Sequence, residues 1–549
     1  NFLVDRTSQP GDCGVPCVVV NTKVSNKLCG ILIAGGTNET CFTTVSKETL
    51  MHHMPALTLL SHSEDYTTSA ICTPPNGNFV PIGSVSRPVP RGVKSQFAKT
   101  PLYGKLHTPT HTPAVITTRF LYDNGWQDPM DKALEKCGTA VVPIPEVELL
   151  SAADYVCSKI INAVPKDAYA RTLTREEAIR GIEGEETMAS VVRSTSPGYP
   201  FVLNKAPGLA GKRTWLGEDD NFQGPAYDQL LERLDECERL LTNGERPMFI
   251  FTDTLKDELR PIEKVLEGKT RVFSAAPMDY VILMRKYFLG FISHIMRGRI
   301  RNNIAVGINP YSMEWHHLAL KFGKYPGNII AGDFSNYDGS LSAQILWQFL
   351  DMAHEFYGPE HALQREILFI DIINSTHIKG TQVYQWNKSL PSGNPFTSVI
   401  NSVANNILMA MCWKSITNAT FVEYNNNVDF IAFGDDNLMC VSPLYEHVFE
   451  MNAITQQMSS YGMTYTDETK SSSAGFRPLN EVSFLKRKFR YEETWGRWVA
   501  PLDTTSIYKS LDFIRVSADD EQQLCDNINN SMMEMSLHGP ISFNCLLRS

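Results

Sequence analysis

No run of about 18 uncharged apolar residues occurs in this 549-residue chain, and the best candidate, Val281 to Met296, is broken by Arg285 and Lys286. A transmembrane helix, and with it direct membrane insertion, is not expected. The twelve cysteines never form a paired CxxC and are too scattered for a disulfide scaffold, so zinc is not suggested and a reducing compartment is. There the sequons at Asn374 and Asn418 are chance matches, and Lys256-Asp257-Glu258-Leu259 lies mid-chain, where a retention signal is not read. Internal repeats are also missing. With no initiator Met and no signal-like start, the chain reads as a piece of something longer.

Core-forming residues are plentiful: 43% of the chain is hydrophobic, enough for one multi-lobed enzyme or a few domains. A formal charge of −10 argues against a protein that simply coats nucleic acid, although an enzyme enclosing it can be acidic outside and basic within. Two local basic runs stand out, Arg297, Arg299 and Arg301, and Lys486, Arg487, Lys488 and Arg490; either can equally be a solvated face. From Asp12 to Gly36 the chain is glycine-punctuated, with predicted strands at Val18-Val19-Val20 and Gly30-Ile31-Leu32-Ile33. Prolines crowd Thr73 to Pro113, favouring extended backbone over helix. Beyond Asp128 helical spacing dominates, as in Tyr227 to Leu241, and from about Asn328 helices alternate with short strands, an α+β pattern.

The chemistry sits in that last part. Gly327 to Asp333 reads as a buried strand delivering Asp333 at its end, with Asp338 in the following turn and Ser340 placed to cap the next helix, whose apolar face is Ile345, Phe349, Met352 and Phe356. Val428 to Phe433 and Leu438 to Val441 read as a hairpin whose turn, Gly434-Asp435-Asp436-Asn437, presents two adjacent carboxylates. Carboxylates offered by two strand ends suit hard divalent cations such as Mg²⁺, with Mn²⁺ a possible substitute. Any one of these acids taken alone reads better as an ordinary turn residue. After Pro391-Ser392-Gly393, the residues Thr397, Asn401 and Asn405 form one polar stripe on a helix whose other faces carry Val399, Val403, Ile407 and Met411. Such polar groups need partners; a ribose could supply them, and so could a helix bridged by asparagine amides.

The motif order resembles a family. Asp333-x4-Asp338, Pro391-Ser392-Gly393 with Thr397 and Asn401, Gly434-Asp435-Asp436, Lys470, and Phe484-Leu485-Lys486-Arg487 are similar to the palm of picornavirus-like RNA-dependent RNA polymerases. Ser194-Thr195-Ser196-Pro197-Gly198-Tyr199-Pro200 and Lys256-Asp257-Glu258-Leu259-Arg260 through Gly268-Lys269-Thr270-Arg271 resemble that family's fingers. Ile82 to Gly104 looks closest to the insect-infecting dicistrovirus branch.

The resemblance implies a right-hand polymerase of fingers, palm and thumb. Asp333 and Asp435, assisted by Asp436, would bind two catalytic metals, while the nucleophile would be an RNA 3′-hydroxyl rather than a side chain. Lys264 and Arg271 would contact the phosphates of an incoming NTP, Lys470 would protonate departing pyrophosphate, and Asp338, Thr397 and Asn401, with Ser392, would recognise the nucleotide. Ser194, Thr195, Ser196, Lys256, Lys486 and Arg487 would touch template and primer RNA. A small protein primer, other viral replication proteins, and a location in host cytoplasm at replication membranes follow from the family as well.

At the other end, Gly11-Asp12-Cys13-Gly14 resembles the nucleophile motif of the chymotrypsin-like cysteine protease preceding such polymerases. The family's His and acid would lie before Cys13, where only twelve residues stand; His52 and His53 follow it, and Leu32 occupies the substrate-pocket histidine position. The expected division is 1–50 as a β-rich remnant of that protease barrel, without protease activity; 51–295 as an N-terminal extension and mainly fingers; 296–490 as palm with an inserted fingers segment; and 491–549 as thumb. Three other readings stay open on the residues: a reverse transcriptase, a nonenzymatic RNA-binding protein whose acids are structural, and an active protease using Cys13.

Overall fold

The computed structural model describes the strands at 2–4, 16–18, 28–35, 40–44 and 66–67 and residues 74–548 apart from 219–221, 471–474 and 518. Two compact units make up the chain, Asn1–Ser63 with Glu236–Met248, and Glu64–Asp235 with Phe249–Ser549. In the first, an antiparallel sheet has the order Phe2–Val4, Thr40–Thr44, Leu28–Gly35, Pro16–Val18. The two expected strands are there, offset by a few residues, with Cys17 opposite Gly30. Cys13, His52 and His53 lie outside the described residues.

The second unit is α+β. Short, nearly continuous apolar runs build its central antiparallel sheet, in the order Val428–Phe433, Asp436–Val441, Ile329–Ser335, Thr464–Asp467. Ile329, Ala331, Ile431, Leu438 and Cys440 share one core with Trp315 and Phe322 of the helix Met313–Phe322 and with Phe484 and Phe489. Burying each large side chain of this kind contributes about 1.5–3 kcal/mol, so the sheet is anchored well beyond the needs of its hydrogen bonds. The helix Thr397–Thr417 packs on the strand Val428–Phe433, and its Val399, Val403, Ile407 and Met411 are all buried.

A six-stranded sheet carries the segment that faces the acids. The strand Ile250–Leu255 lies between the antiparallel Val272–Ala275 and the parallel Thr376–Lys379, and Gln382–Trp386, Phe79–Val85 and Tyr66–Thr67 complete it. The proline-rich segment is extended as expected: it supplies Phe79–Val85, Phe97–Lys99, which pairs with Phe513–Arg515, and His111–Pro113, which pairs with Leu259–Pro261. Near the C-terminus the helices Thr504–Asp512, Asp520–Ser536 and Pro540–Arg548 close a small core of Ile507, Leu511, Met535 and Leu546, into which Leu102 and Leu106 also pack.

One local expectation fails. Ser340 does not cap the helix Ala343–Tyr357; it ends the short helix Tyr337–Ser340, donating to the Tyr337 carbonyl, and Ser342 stands at the cap position. The intervening turn takes up the residues the pattern had assigned to the cap. The apolar face of that helix is as read, with Ile345, Phe349, Met352 and Phe356 buried.

Candidate active site

The two acid-bearing elements meet because their strands are neighbours. Gly332 pairs with Asn437, so Asp333 comes next to the end of the hairpin that carries Asp435 and Asp436. Phe433 pairs with Asp436, leaving Gly434 and Asp435 as a two-residue loop, and Gly434 takes the positive φ of +63° that such a loop demands. The loop is fastened from below by the Thr397–Thr417 helix: the Gly434 N–H donates to Ser402 Oγ at 2.8 Å, and Asn405 Nδ2 donates to the carbonyls of Gly434 at 3.0 Å and Asp435 at 3.3 Å. On the neighbouring strand, Tyr465 Oη donates to Asn437 Oδ1 at 2.8 Å. Gly332 makes room for that phenol, since a Cβ there would stand 1.8 Å from the Tyr465 oxygen.

Crowding these carboxylates has an electrostatic consequence. Burial, then the charges of Asp435 and Asp333, push Asp436 up to about 7. Burial and the charge of Asp435 raise Asp333, and burial raises Asp435 itself. Three acids that resist joint ionisation define a place short of positive charge. Among the described residues no three His, Cys, Asp or Glu side chains enclose a metal ion by themselves. Carboxylate oxygens of Asp333, Asp435 and Asp436, offered from neighbouring strand ends, are the donor type Mg²⁺ prefers when water and substrate phosphate complete its coordination.

Cations converge on the same place. Lys470 Nζ is 3.9 Å from Asp333 Oδ2 on a side chain that is 67% exposed. Arg271 and Lys470 act on Asp435, Lys486 acts on Asp436, and Arg271 and Lys256 act on Asp338. Glu258 gathers the fingers-like cations, pairing with Arg271 through its Nε at 2.7 Å, with Lys256 at 3.6 Å and with Arg260 at 3.7 Å. Lys264, on the short helix Ile262–Leu266, sits instead where its charge acts on Lys136 and Glu267.

Beside the acids, one buried amide is only half hydrogen-bonded. Asn401 Nδ2 donates to Asp338 Oδ1 at 2.6 Å, which fixes the amide orientation because an ionised carboxylate can only accept. The amide oxygen, Oδ1, is then buried with no partner. Burial, foremost, and the charge of Asp435 raise Asp338 to about 6. Thr397 is already committed locally, its hydroxyl shared between the carbonyls of Pro391 and Asn394 at 3.0 Å each. Asn405, the third member of the polar stripe, serves the acidic turn. Ser392 Oγ accepts from the Ser274 N–H at 3.2 Å.

The residues expected to touch RNA are placed unevenly. Ser194, Thr195 and Ser196 are exposed, and the buried Lys212 donates to the Thr195 hydroxyl. The close approach allowed by Gly198 is to the Ala276 carbonyl, 2.5 Å from a built Cβ, and so to the chain itself. Arg487 is not a free cation: its guanidinium grips Glu534 through two hydrogen bonds, at 2.8 and 2.7 Å, and the Ala500 carbonyl at 2.7 Å. Ser402 and Tyr465 escaped the sequence reading, and Asn437 and Glu258 entered it as motif members without a role. Ser402 lies off the i, i+4 stripe, and Glu258 was visible only as a motif member, so no periodicity marked either.

Comparison with known proteins meets this geometry. The profile of the family described as Viral RNA-dependent RNA polymerase matches residues 99–548, and the chain belongs to that family. It is 35% identical to the replicase polyprotein of Drosophila C virus (strain EB) over 99% of this chain and 33% of the polyprotein, and 33% identical to that of Acute bee paralysis virus (strain Rothamsted) over 97% and 30%. The chain thus spans about a third of the length of these curated relatives. Among solved structures, a Sicinivirus 3Dpol RNA dependent RNA polymerase matches with a TM-score of 0.72 at 23% identity, covering 86% of this chain and 93% of that one. The fold is the right-hand polymerase fold.

Proposed function

We propose that this chain carries out template-directed nucleotidyl transfer from NTPs to an RNA 3′-hydroxyl, copying a positive-strand RNA genome. The observation that carries the reading is the meeting of Asp333, Asp435 and Asp436, each held up in pKa by burial, with Arg271 and Lys470 directed at the same place. Those three acids would hold Mg²⁺, or Mn²⁺ in its stead, which when bound supplies charge stabilisation at the attacking and leaving oxygens. Arg271, loosening from Glu258 as the triphosphate arrives, binds and orients it together with Lys264, while Lys256 is kept for the RNA. Asn401 Oδ1 accepts from the ribose 2′-hydroxyl while its amide stays on Asp338, and a deoxyribose leaves that oxygen unpaired. The primer 3′-hydroxyl gives up its proton to water, and its oxygen forms a bond to the α-phosphorus as the bond to pyrophosphate breaks. Lys470 Nζ gives the leaving pyrophosphate its proton.

The same proposal extends to the division of the chain. Residues 1–50 are read as an inactive protease remnant, 51–295 as an N-terminal extension and mainly fingers, 296–490 as palm with an inserted fingers segment and 491–549 as thumb; the polymerase family's match begins only at residue 99, in keeping with a different origin for the first segment. Association with a small protein primer, with other replication proteins and with replication membranes in host cytoplasm belongs to this reading. No described helix is long and apolar enough to cross a membrane.

The test is extension of a primed RNA of known sequence with each nucleotide offered singly. Incorporation of only the complementary ribonucleotide is expected. Incorporation that ignores the template, or that prefers deoxynucleotides, would overturn the reading.

A further inference from the structure

A buried carboxylate outside the reaction centre is tied to it through one serine. Asp253, on the strand Ile250–Leu255, is 4% exposed, and its two oxygens take three donors. Oδ1 accepts from the Ser274 hydroxyl at 2.6 Å and from His377 Nδ1 at 2.8 Å, and Oδ2 accepts from the Tyr384 hydroxyl. With Nδ1 carrying the proton against the carboxylate, His377 Nε2 accepts from the Ser375 hydroxyl at 2.7 Å. Trp386 stacks on the imidazole at 3.7 Å between centroids and 4° between planes, and Phe251 stacks as well.

The order Ser375, His377, Asp253 has the hydroxyl, imidazole and carboxylate of a hydrolase, yet Ser375 and His377 are fully buried and no substrate can reach them. A fully satisfied buried network instead fixes geometry. What it fixes is Ser274, which faces two ways. Its hydroxyl is bound to Asp253, its N–H donates to Ser392 Oγ, and its carbonyl is pressed so closely by Gly393 that a Cβ there would stand 1.8 Å from the oxygen. Ala275 bridges to Gly393 in parallel fashion, so the strand Val272–Ala275 and the loop Pro391–Gly393 are joined here by side chain, amide and backbone bridge together.

Each of the joined segments leads straight to the nucleotide. Arg271 immediately precedes the strand, and the loop runs into the helix bearing Asn401. A shift of Ser274 therefore moves the phosphate-directed arginine and the ribose-directed asparagine relative to one another, while Asp333, Asp435 and Asp436 hang on a different sheet. We infer that Asp253, backed by His377 and Tyr384, is a positioning residue for ribose selection: through Ser274 it sets the Ser392–Gly393 loop, and with it the aim of Asn401, against Arg271. The inference rests on the polymerase reading above.

Ser274→Ala removes the hydroxyl and leaves the packing and the amide in place; Asp253→Asn keeps the shape and opposes one of three donors with a fourth. Single-nucleotide incorporation on a primed RNA, with ribo- and deoxynucleotide, gives the discrimination ratio for each variant. Both variants are expected to lower that ratio about fivefold or more, the size of one lost hydrogen bond, chiefly through KM for the ribonucleotide and with primed-RNA affinity unchanged. Ser274→Ala added to Ser392→Ala is expected to cause little further loss, because both cut one linkage. An unchanged ratio, an equal loss for both sugars, or full additivity with Ser392→Ala overturns the inference. The parent chain and Asp435→Asn run beside them. Parent activity lost in Asp435→Asn upholds the polymerase reading whatever Ser274→Ala does, and an inactive parent overturns that reading and the inference together.

Discussion

The acidic and basic sides of the site are built to different stiffness. Asp435 sits on a loop whose N–H and carbonyls are tied to Ser402 and Asn405 of a buried helix, and Asp333 follows a glycine locked under Tyr465. Opposite them, the Arg271 side chain is 61% exposed, Lys470 67% and Lys256 49%, and each leans on a carboxylate that a phosphate could replace. The difference teaches which parts must be preorganised. Repelling carboxylates stay together only if the backbone gives them no choice, whereas cations that must follow a triphosphate in and a pyrophosphate out do better on long, solvated stems.

Breaking the stiff side should cost most. Gly332→Ala drives a methyl into the Tyr465 phenol, which is fully buried and bonded to Asn437; a loss of about 3 kcal/mol in denaturant-measured stability is expected, together with most of the extension activity. Ser402→Ala leaves the Gly434 N–H without its acceptor. About 1–3 kcal/mol is expected there, and a chain whose stability and activity are both untouched would show that the loop is held otherwise.

Acidity sharpens the comparison further. Asp436 is raised to about 7, so in chelator the folded chain binds a proton that the unfolded chain gives up near the ordinary carboxylate range. Folded-state proton uptake means stability that grows as pH falls from about 8 towards 5 and shrinks as pH rises through 7. Asp436→Asn should flatten this slope in thermal melts, and the difference between the two chains reports Asp436 together with the acids coupled to it, Asp435 and Asp333. On the soft side, Lys470→Leu should slow single-turnover incorporation by about tenfold while leaving RNA affinity and melting temperature within error. An equal loss of RNA affinity would make Lys470 a binding residue.

Legibility followed the same divide. The hairpin of Val428 to Val441 and the strand before Asp333 could be read because short apolar runs, glycine and adjacent acids are local signals. Asn401 and Asn405 were visible as a stripe, but their different tasks were not: one binds Asp338 and the other the acidic turn, a matter of which neighbour the fold delivers. Arg487 shows the limit from the other side. A basic run looked free for phosphate, and the structure spends this arginine on Glu534, 47 residues later in the chain, holding the helix Asp520–Ser536. Likewise the Asp253 network joins strands more than a hundred residues apart, beyond any window of periodicity.

The most direct measurement is the Mg²⁺ dependence of single-turnover nucleotide addition by the parent chain and by Asp333→Asn and Asp435→Asn. Saturable dependence in the parent, with a rate at least about a hundredfold lower in either variant at any Mg²⁺ concentration and unchanged RNA affinity, is what three converging carboxylates predict. Addition at the parent rate by either variant would contradict it.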